Sequence, residues 1–280
     1  MNIYFGNQGQ YGDIVINTYL ARVLKDIVSS EDRLILNINR KYCDILPLLI
    51  NNPYIDDFHI WEGYDNWPND NDKSFIEKNK DCFILSPMSR HSIDDWYNFR
   101  HQCEEVCHMF INKYEILKNT ITNDKKCFLN SGNFNSKKRN NYIAFAPFAG
   151  WYNKNNDKKL SVESAQAIVN SLLKNGFKVL QLGGYDETKL DGAEKYNFSL
   201  YNSTVSMLSC EMLLHTDTFL GWAASAYEFP QLGLYSNKFY GKNISNIQPI
   251  NKNSIYLEDV NLNNIPIESI IDNVRSILRL

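Results

Sequence analysis

Four groups of residues in this 280-residue chain have the types and spacing for chemistry. Asp13 follows Gly12 and opens a run in which Ile14, Ile16, Leu20, Val23, Leu24 and Ile27 recur at mostly helical spacing. A carboxylate at the N-cap or first turn of such a helix is stabilised by unpaired N–H groups and by the helix dipole. Residues 3–5 read as a short strand just before it, so Asp13 falls at the carboxyl edge of a sheet, where α/β folds bind ligands. Taken alone, the local sequence favours a plain helix cap. Lys158 stands just before a second helix start, and ammonium and free N–H groups both suit phosphate oxygens. Lys154 and Lys159 compete for that role. Glu187 follows Gly183 and Gly184, a glycine turn that permits close backbone approach, and a carboxylate there can accept hydrogen bonds from ribose hydroxyls. Asp217 and Thr218 precede the small-residue stretch 222–227, with Pro230 beyond it.

The elements that must position these residues alternate between strand and helix. After the first strand and helix, residues 33–38 (RLILNI) and 58–61 read as strands, 44–50 as a short helix, and 81–86 as a further strand. Residues 66–72 form a polar loop, and 93–117 carry one or two amphipathic helices. Residues 130–141 (NSGNFNSKKRNN) are polar and aperiodic and read as a linker. The pattern then restarts, with strands at 142–146, 178–182, 212–214 and 231–235, and helices at 161–175, from 199, at 222–227 and at 267–278. Gly176 is the helix stop expected after residue 175. Two α/β halves result, 1–136 and 137–280, the pattern of Rossmann-like domains.

The composition is 44% hydrophobic and 13% aromatic, sufficient for two packed cores. A net charge of −3 excludes a broadly basic protein and speaks against sequence-independent nucleic-acid binding. No apolar run reaches the length of a membrane span, and the first residues lack the form of a signal peptide, so a soluble, cytoplasmic protein is expected. A peripheral membrane contact is compatible with this. The six scattered cysteines suggest reduced thiols rather than a disulfide framework.

Four blocks, in order, resemble glycosyltransferase family nine, the ADP-heptose:lipopolysaccharide heptosyltransferases. The stretch GDIVINTYLARVLK from Gly12 resembles the family's first motif, with Tyr19 in place of its proline. APFAGWYNKNNDKKLSVES resembles the loop before the K-x-W-P segment, with Leu160 and Ser161 replacing Trp and Pro. LGGYDE resembles G-G-x-x-E. HTDTFLGWAASA resembles D-[ST]-G-x-x-H-x-A-A-A, with Phe219 at the glycine and Trp222 at the histidine. The resemblance implies a GT-B type α/β fold, two Rossmann-like domains facing a central cleft. The amino-terminal domain would bind the acceptor and the carboxyl-terminal domain the nucleotide sugar. It implies an inverting, metal-independent transferase that moves a sugar from a nucleotide-diphosphate donor to a glycan or glycolipid hydroxyl, without cofactor. Asp13 would be the general base, and Gly9 and Gly12 would form an acceptor or phosphate loop. Gly150, Lys158, Glu187, Asp217 and Thr218 would bind the nucleotide sugar, the last two through backbone and hydroxyl donors at a helix N-terminus.

Two other classes fit some of the same residues. The turn from Gly6-Asn7 to Gly12-Asp13 is similar to one in polysaccharide pyruvyl transferases, although their R-x-H segment is not evident. Phe219 and Trp222 fit a non-catalytic sugar- or nucleotide-binding protein. His101, Cys103, Cys107 and His108 have metal-ligand types, but two buried cysteines on one helix face are the expected reading.

Overall fold

The computed structural model describes residues 1–6, 10–61, 83–84, 126–130, 137–148, 158–195 and 199–279. The chain divides into two compact units, Met1–Ser131 and Gly132–Leu280.

The first unit carries a parallel sheet in the order β3-β2-β1-β4, built from β1 (Asn2–Phe5), β2 (Arg33–Asn39), β3 (Asp57–Trp61) and β4 (Phe83–Ile84). Helix α1 (Tyr11–Lys25) links β1 to β2 and is buried continuously from Ile14 to Leu24. A helix covered all round must satisfy its polar side chains locally. Thr18 donates to the Val15 carbonyl at 2.6 Å and accepts from the Phe128 N–H at 2.8 Å, while Asn17 donates to the Asp13 carbonyl at 2.9 Å. The Arg22 guanidinium lies over the Tyr19 and Phe128 rings. Burying Ile16, Tyr19, Leu20 and Val23 contributes about 1.5–3 kcal/mol per side chain. The residues expected as a helix at 44–50 form a 3₁₀ turn, Arg40–Ile45, that runs into the single α turn α2 (Leu46–Leu49), with Pro47 at its start.

The second unit is a six-stranded parallel sheet in the order β10-β9-β8-β5-β6-β7. Its strands are β5 (Tyr142–Ala146), β6 (Lys178–Gln181), β7 (Glu194–Lys195), β8 (Met212–His215), β9 (Gln231–Ser236) and β10 (Ser254–Asp259). Counted from its own first strand, the sheet runs 3-2-1-4-5-6, the Rossmann order, and the direction of winding reverses between β5 and β8. Helix α3 (Val162–Lys174) buries Ala165, Ile168, Val169 and Leu172, one helical stripe, against this sheet. It starts at Ser161, whose hydroxyl accepts from the Ser164 N–H at 3.1 Å, and Gly176 follows it at φ +83°. Helices α4 (Leu200–Ser209), α5 (Phe219–Ala226), α6 (Asn237–Tyr240) and α7 (Ile267–Leu278) also belong to the unit. Ile270, Ile271 and Val274 of α7 join the same core.

Two strands are absent from the sequence expectation. β7 is two residues long, and β10 is an edge strand that is only partly buried, so neither shows clear alternation. Helix α5 starts at Phe219, three residues earlier than its small-residue run suggests. Trp222 is therefore a buried helix residue, 4% exposed. The loop at 66–72, the helices at 93–117 and the cysteine–histidine group lie outside the described residues. No helix among the described residues is long and apolar enough to cross a membrane.

Candidate functional site

In the first unit, β1 is followed by Gly6, whose φ of +133° favours glycine; a Cβ there would meet the Asn37 carbonyl oxygen at 2.9 Å. After the undescribed residues 7–9, which include Gly9, α1 begins at Tyr11, with Gly12 as its second residue and Asp13 as its third. Asp13 Oδ2 accepts the Gln10 N–H at 2.8 Å, so the carboxylate satisfies one donor ahead of the helix. Close by, the Tyr11 and Tyr42 rings meet edge to face at 4.9 Å. The Tyr11 hydroxyl hydrogen-bonds to Asp44, and burial together with that carboxylate pushes the Tyr11 pKa up.

In the second unit the predicted residues gather at the carboxyl ends of β5, β6 and β8, and Pro147 organises two of the three stretches. Its carbonyl accepts from the Leu160 N–H at 3.2 Å and from the Thr216 hydroxyl at 3.4 Å, while the Thr216 N–H donates to Ala146 at 3.1 Å. The segment before α3 and the turn after β8 are thereby held side by side. As a result Lys158 Nζ donates to Asp217 Oδ2 at 2.9 Å, with both side chains about four-fifths buried. Thr218 is the N-cap of α5 but does not cap with its side chain; its buried hydroxyl has no hydrogen-bond partner among the described residues. Gly150 lies outside the described residues.

One strand away, the Glu187 side chain folds back over Gly183. A Cβ on Gly183 would lie 1.6 Å from Glu187 Oε2, so only glycine leaves room for the carboxyl. Burial raises the Glu187 pKa to about 7, opposed by the Gly184 N–H and by the Lys195 and Lys159 charges. Oε2 is buried and has no hydrogen-bond partner among the described residues.

Three residues outside the sequence expectation support this edge. Gln181, fully buried at the end of β6, donates to the Thr188 carbonyl at 2.8 Å and accepts the Leu190 N–H at 2.9 Å, fixing the turn that carries Glu187. His215 is fully buried at the end of β8, with Nδ1 2.6 Å from the Thr216 carbonyl. Burial holds His215 below its usual pKa, so the neutral ring donates through Nδ1. Gly221 packs onto that ring; a Cβ there would lie 2.4 Å from its Cε1. The sequence signal for Gln181 and His215 is a polar residue closing an otherwise apolar strand.

A parallel sheet in Rossmann order, with a lysine, a threonine at a helix N-terminus and a buried carboxylate at its carboxyl edge, defines an α/β protein of the Rossmann class. Among solved structures the chain shares its fold with sugar transferases of this class. The family 9 glycosyltransferase of Veillonella parvula DSM 2008 is similar at a TM-score of 0.70, with 17% identity over 99% of this chain and 96% of that one. E. coli ADP-heptose LPS heptosyltransferase II matches at 0.73, with 10% identity over 100% and 99% of the two chains. E. coli heptosyltransferase WaaC with ADP-2-deoxy-2-fluoro heptose matches at 0.65, with 11% identity over 99% of each chain. No protein-family model and no curated protein matches the sequence. Among the described residues no group of three His, Cys, Asp or Glu could hold a metal ion.

Proposed function

We propose that this protein is a heptosyltransferase-like glycosyltransferase that moves a sugar from a nucleotide-diphosphate donor to a hydroxyl of a glycan or glycolipid acceptor, in glycan or lipopolysaccharide biosynthesis. The observation that carries the reading is the assembly of Lys158, Asp217 and Thr218 at the switch point of a Rossmann sheet, in a chain that shares its fold with ADP-heptose transferases. In this reading the two units, Met1–Ser131 and Gly132–Leu280, are the lobes of a GT-B enzyme, the first binding the acceptor and the second the donor.

The reaction is a direct displacement that inverts the anomeric centre. The acceptor oxygen bonds to the anomeric carbon as its proton passes to the Asp13 carboxylate. The bond from that carbon to the diphosphate breaks, and its electron pair leaves with the diphosphate. Lys158, the Thr218 hydroxyl and the first N–H groups of α5 stabilise the departing charge. Glu187 accepts from the ribose hydroxyls. In this reading no metal takes part, and Lys158 and the helix terminus meet the phosphate oxygens directly. The test is turnover of a panel of nucleotide sugars with a panel of glycan acceptors, read by product mass spectrometry with and without EDTA. A glycoside of inverted configuration, formed equally with chelator, is the expected product. Nucleotide binding without turnover of any pair would favour the binding-protein reading.

A further inference from the structure

Asp13 stands in the least secure turn of its helix. It is the third residue of α1, and the N–H groups of a helix's first turn have no partners within the helix. From Ile14 to Leu24 α1 is buried, but Tyr11, Gly12 and Asp13 are each only partly covered. Such an end frays unless something outside the helix holds it. A second turn at the same sheet edge supplies the hold. The 3₁₀ turn Arg40–Ile45 leaves the carboxyl end of β2, which runs parallel to β1, and Asn39 caps it by accepting the Lys41 N–H at 3.0 Å. From this turn the Tyr42 ring meets the Tyr11 ring edge to face, and the Asp44 carboxylate accepts the Tyr11 hydroxyl. Lys41 Nζ lies 4.9 Å from the centre of the Tyr42 ring. Burial and the Asp44 charge hold the Tyr11 phenol above its usual pKa, so it remains the donor. The body of α1 is anchored by its own buried side chains. The bond from Asp44, an exposed residue, therefore acts on the first turn alone.

We propose that Tyr11 and Asp44 are positioning residues for Asp13: the bond between them holds the first turn of α1, and so keeps the Asp13 carboxylate within reach of the acceptor hydroxyl. The inference rests on the reading of Asp13 as the general base. A base takes a proton only across hydrogen-bond distance, and a displacement of about 1 Å costs on the order of a hundredfold in rate. Tyr11 and Asp44 act through Asp13 and belong to the first unit, so their effect falls on kcat and not on nucleotide affinity.

The test is a double-mutant cycle on the full chain, with the nucleotide sugar and acceptor identified by the panel above. Tyr11→Phe and Asp44→Ala should each lower kcat roughly ten- to a hundredfold and leave ADP affinity, read by calorimetry, unchanged. Both should also speed amide hydrogen exchange at Gln10 and Ile14, whose N–H groups bond to Asp13 Oδ2 and to the Gln10 carbonyl. Asp44→Asn, with an amide oxygen that still accepts the phenol, should restore kcat to within a few-fold of wild type. In an Asp13→Asn background Tyr11→Phe should cost nothing further, because no base is left to position. Unchanged kcat in Tyr11→Phe and Asp44→Ala, even with a lower melting temperature, would make the bond purely structural and overturn the proposal. So would a full loss repeated in the Asp13→Asn background, or a parallel loss of ADP affinity. If Asp13→Asn is inactive while Tyr11→Phe turns over normally, the base stands and only its positioning pair falls. If Asp13→Asn is as active as wild type, or no donor and acceptor pair turns over at all, the reading of Asp13 falls and the proposal with it.

Discussion

Lys158 and Asp217, 59 residues apart in sequence, form an ion pair at 2.9 Å across the point where the second sheet reverses its winding. A diphosphate bound there would meet a lysine already oriented by a carboxylate. Lys158→Ala should weaken a nucleoside diphosphate by about tenfold or more, because a charge-assisted hydrogen bond contributes roughly 1.5–3 kcal/mol. The nucleoside alone should bind almost as before. Asp217→Asn should act in the opposite direction and tighten the diphosphate, since a negative charge beside the phosphates is removed. Calorimetry on the two variants with ADP and adenosine checks both signs; equal losses for the two ligands would remove Lys158 from the phosphate site.

Gly183 and Glu187 make a second testable pair. The atom that blocks a Cβ on Gly183 is the far end of a flexible side chain. Gly183→Ala should therefore leave the fold intact and push the Glu187 carboxyl into solvent. Its pKa should fall from about 7 toward the ordinary glutamate value of 4.5. The variant should lose several-fold in affinity for ribonucleotides and little for pyrophosphate. Carbon-13 NMR titration of the carboxyl carbons would follow the shift.

The raised Glu187 pKa also fixes the sign of a stability change. Between pH 4.5 and about 7 the folded chain holds a proton on this carboxyl that the unfolded chain has released. The contribution of Glu187 to stability is therefore greatest at low pH and declines as pH rises through that window. Glu187→Gln removes the dependence, so the difference in melting temperature, variant minus wild type, should grow from pH 4.5 to 7.5. A difference that is flat or shrinks over that range contradicts the buried, protonated carboxyl.

Gly221 differs from Gly183 because the atoms a Cβ would meet belong to a ring with no room to move. His215 is wholly enclosed, at the end of β8 and beneath α5. Gly221→Ala should cost about 1–3 kcal/mol through overpacking. It should also displace Thr216–Thr218 and so weaken the diphosphate more than a simple loss of stability would. Chemical denaturation alongside ADP titration separates the two effects.

Asp13→Asn distinguishes a catalytic base from a cap. An amide oxygen can still accept the Gln10 N–H, so the melting temperature should hold. Turnover should fall about 10²–10⁴-fold with donor binding unchanged. Activity within a few-fold of wild type would leave Asp13 as a cap alone.

Most of the fold was legible because its strands are apolar runs and its helices are punctuated. Ser161, Ser199 and Gly176 mark their boundaries as capping chemistry requires. The start of α5 was obscured because Phe219 and Leu220 lie outside the small-residue run that marks the helix. β10 escaped because an edge strand packed on one side only has no strong period. Lys158 and Asp217 were each visible as candidates, but their contact depends on the Pro147 carbonyl joining two distant segments, which no local pattern encodes. Gln181 and His215 were unread for the same reason, since a buried polar side chain takes its meaning from partners elsewhere in the sheet.

The charges of β7 bear on how the protein behaves at high concentration. Among the described residues, Leu180–Glu194 and Gln181–Lys195 pair along this margin of the second sheet, and both outer residues are charged. Arg139 bonds to Glu194 at 3.0 Å from the side. An incoming chain meets a charged side chain at each of these two positions. Charges on outer strand residues disfavour the addition of a strand from another molecule at those positions.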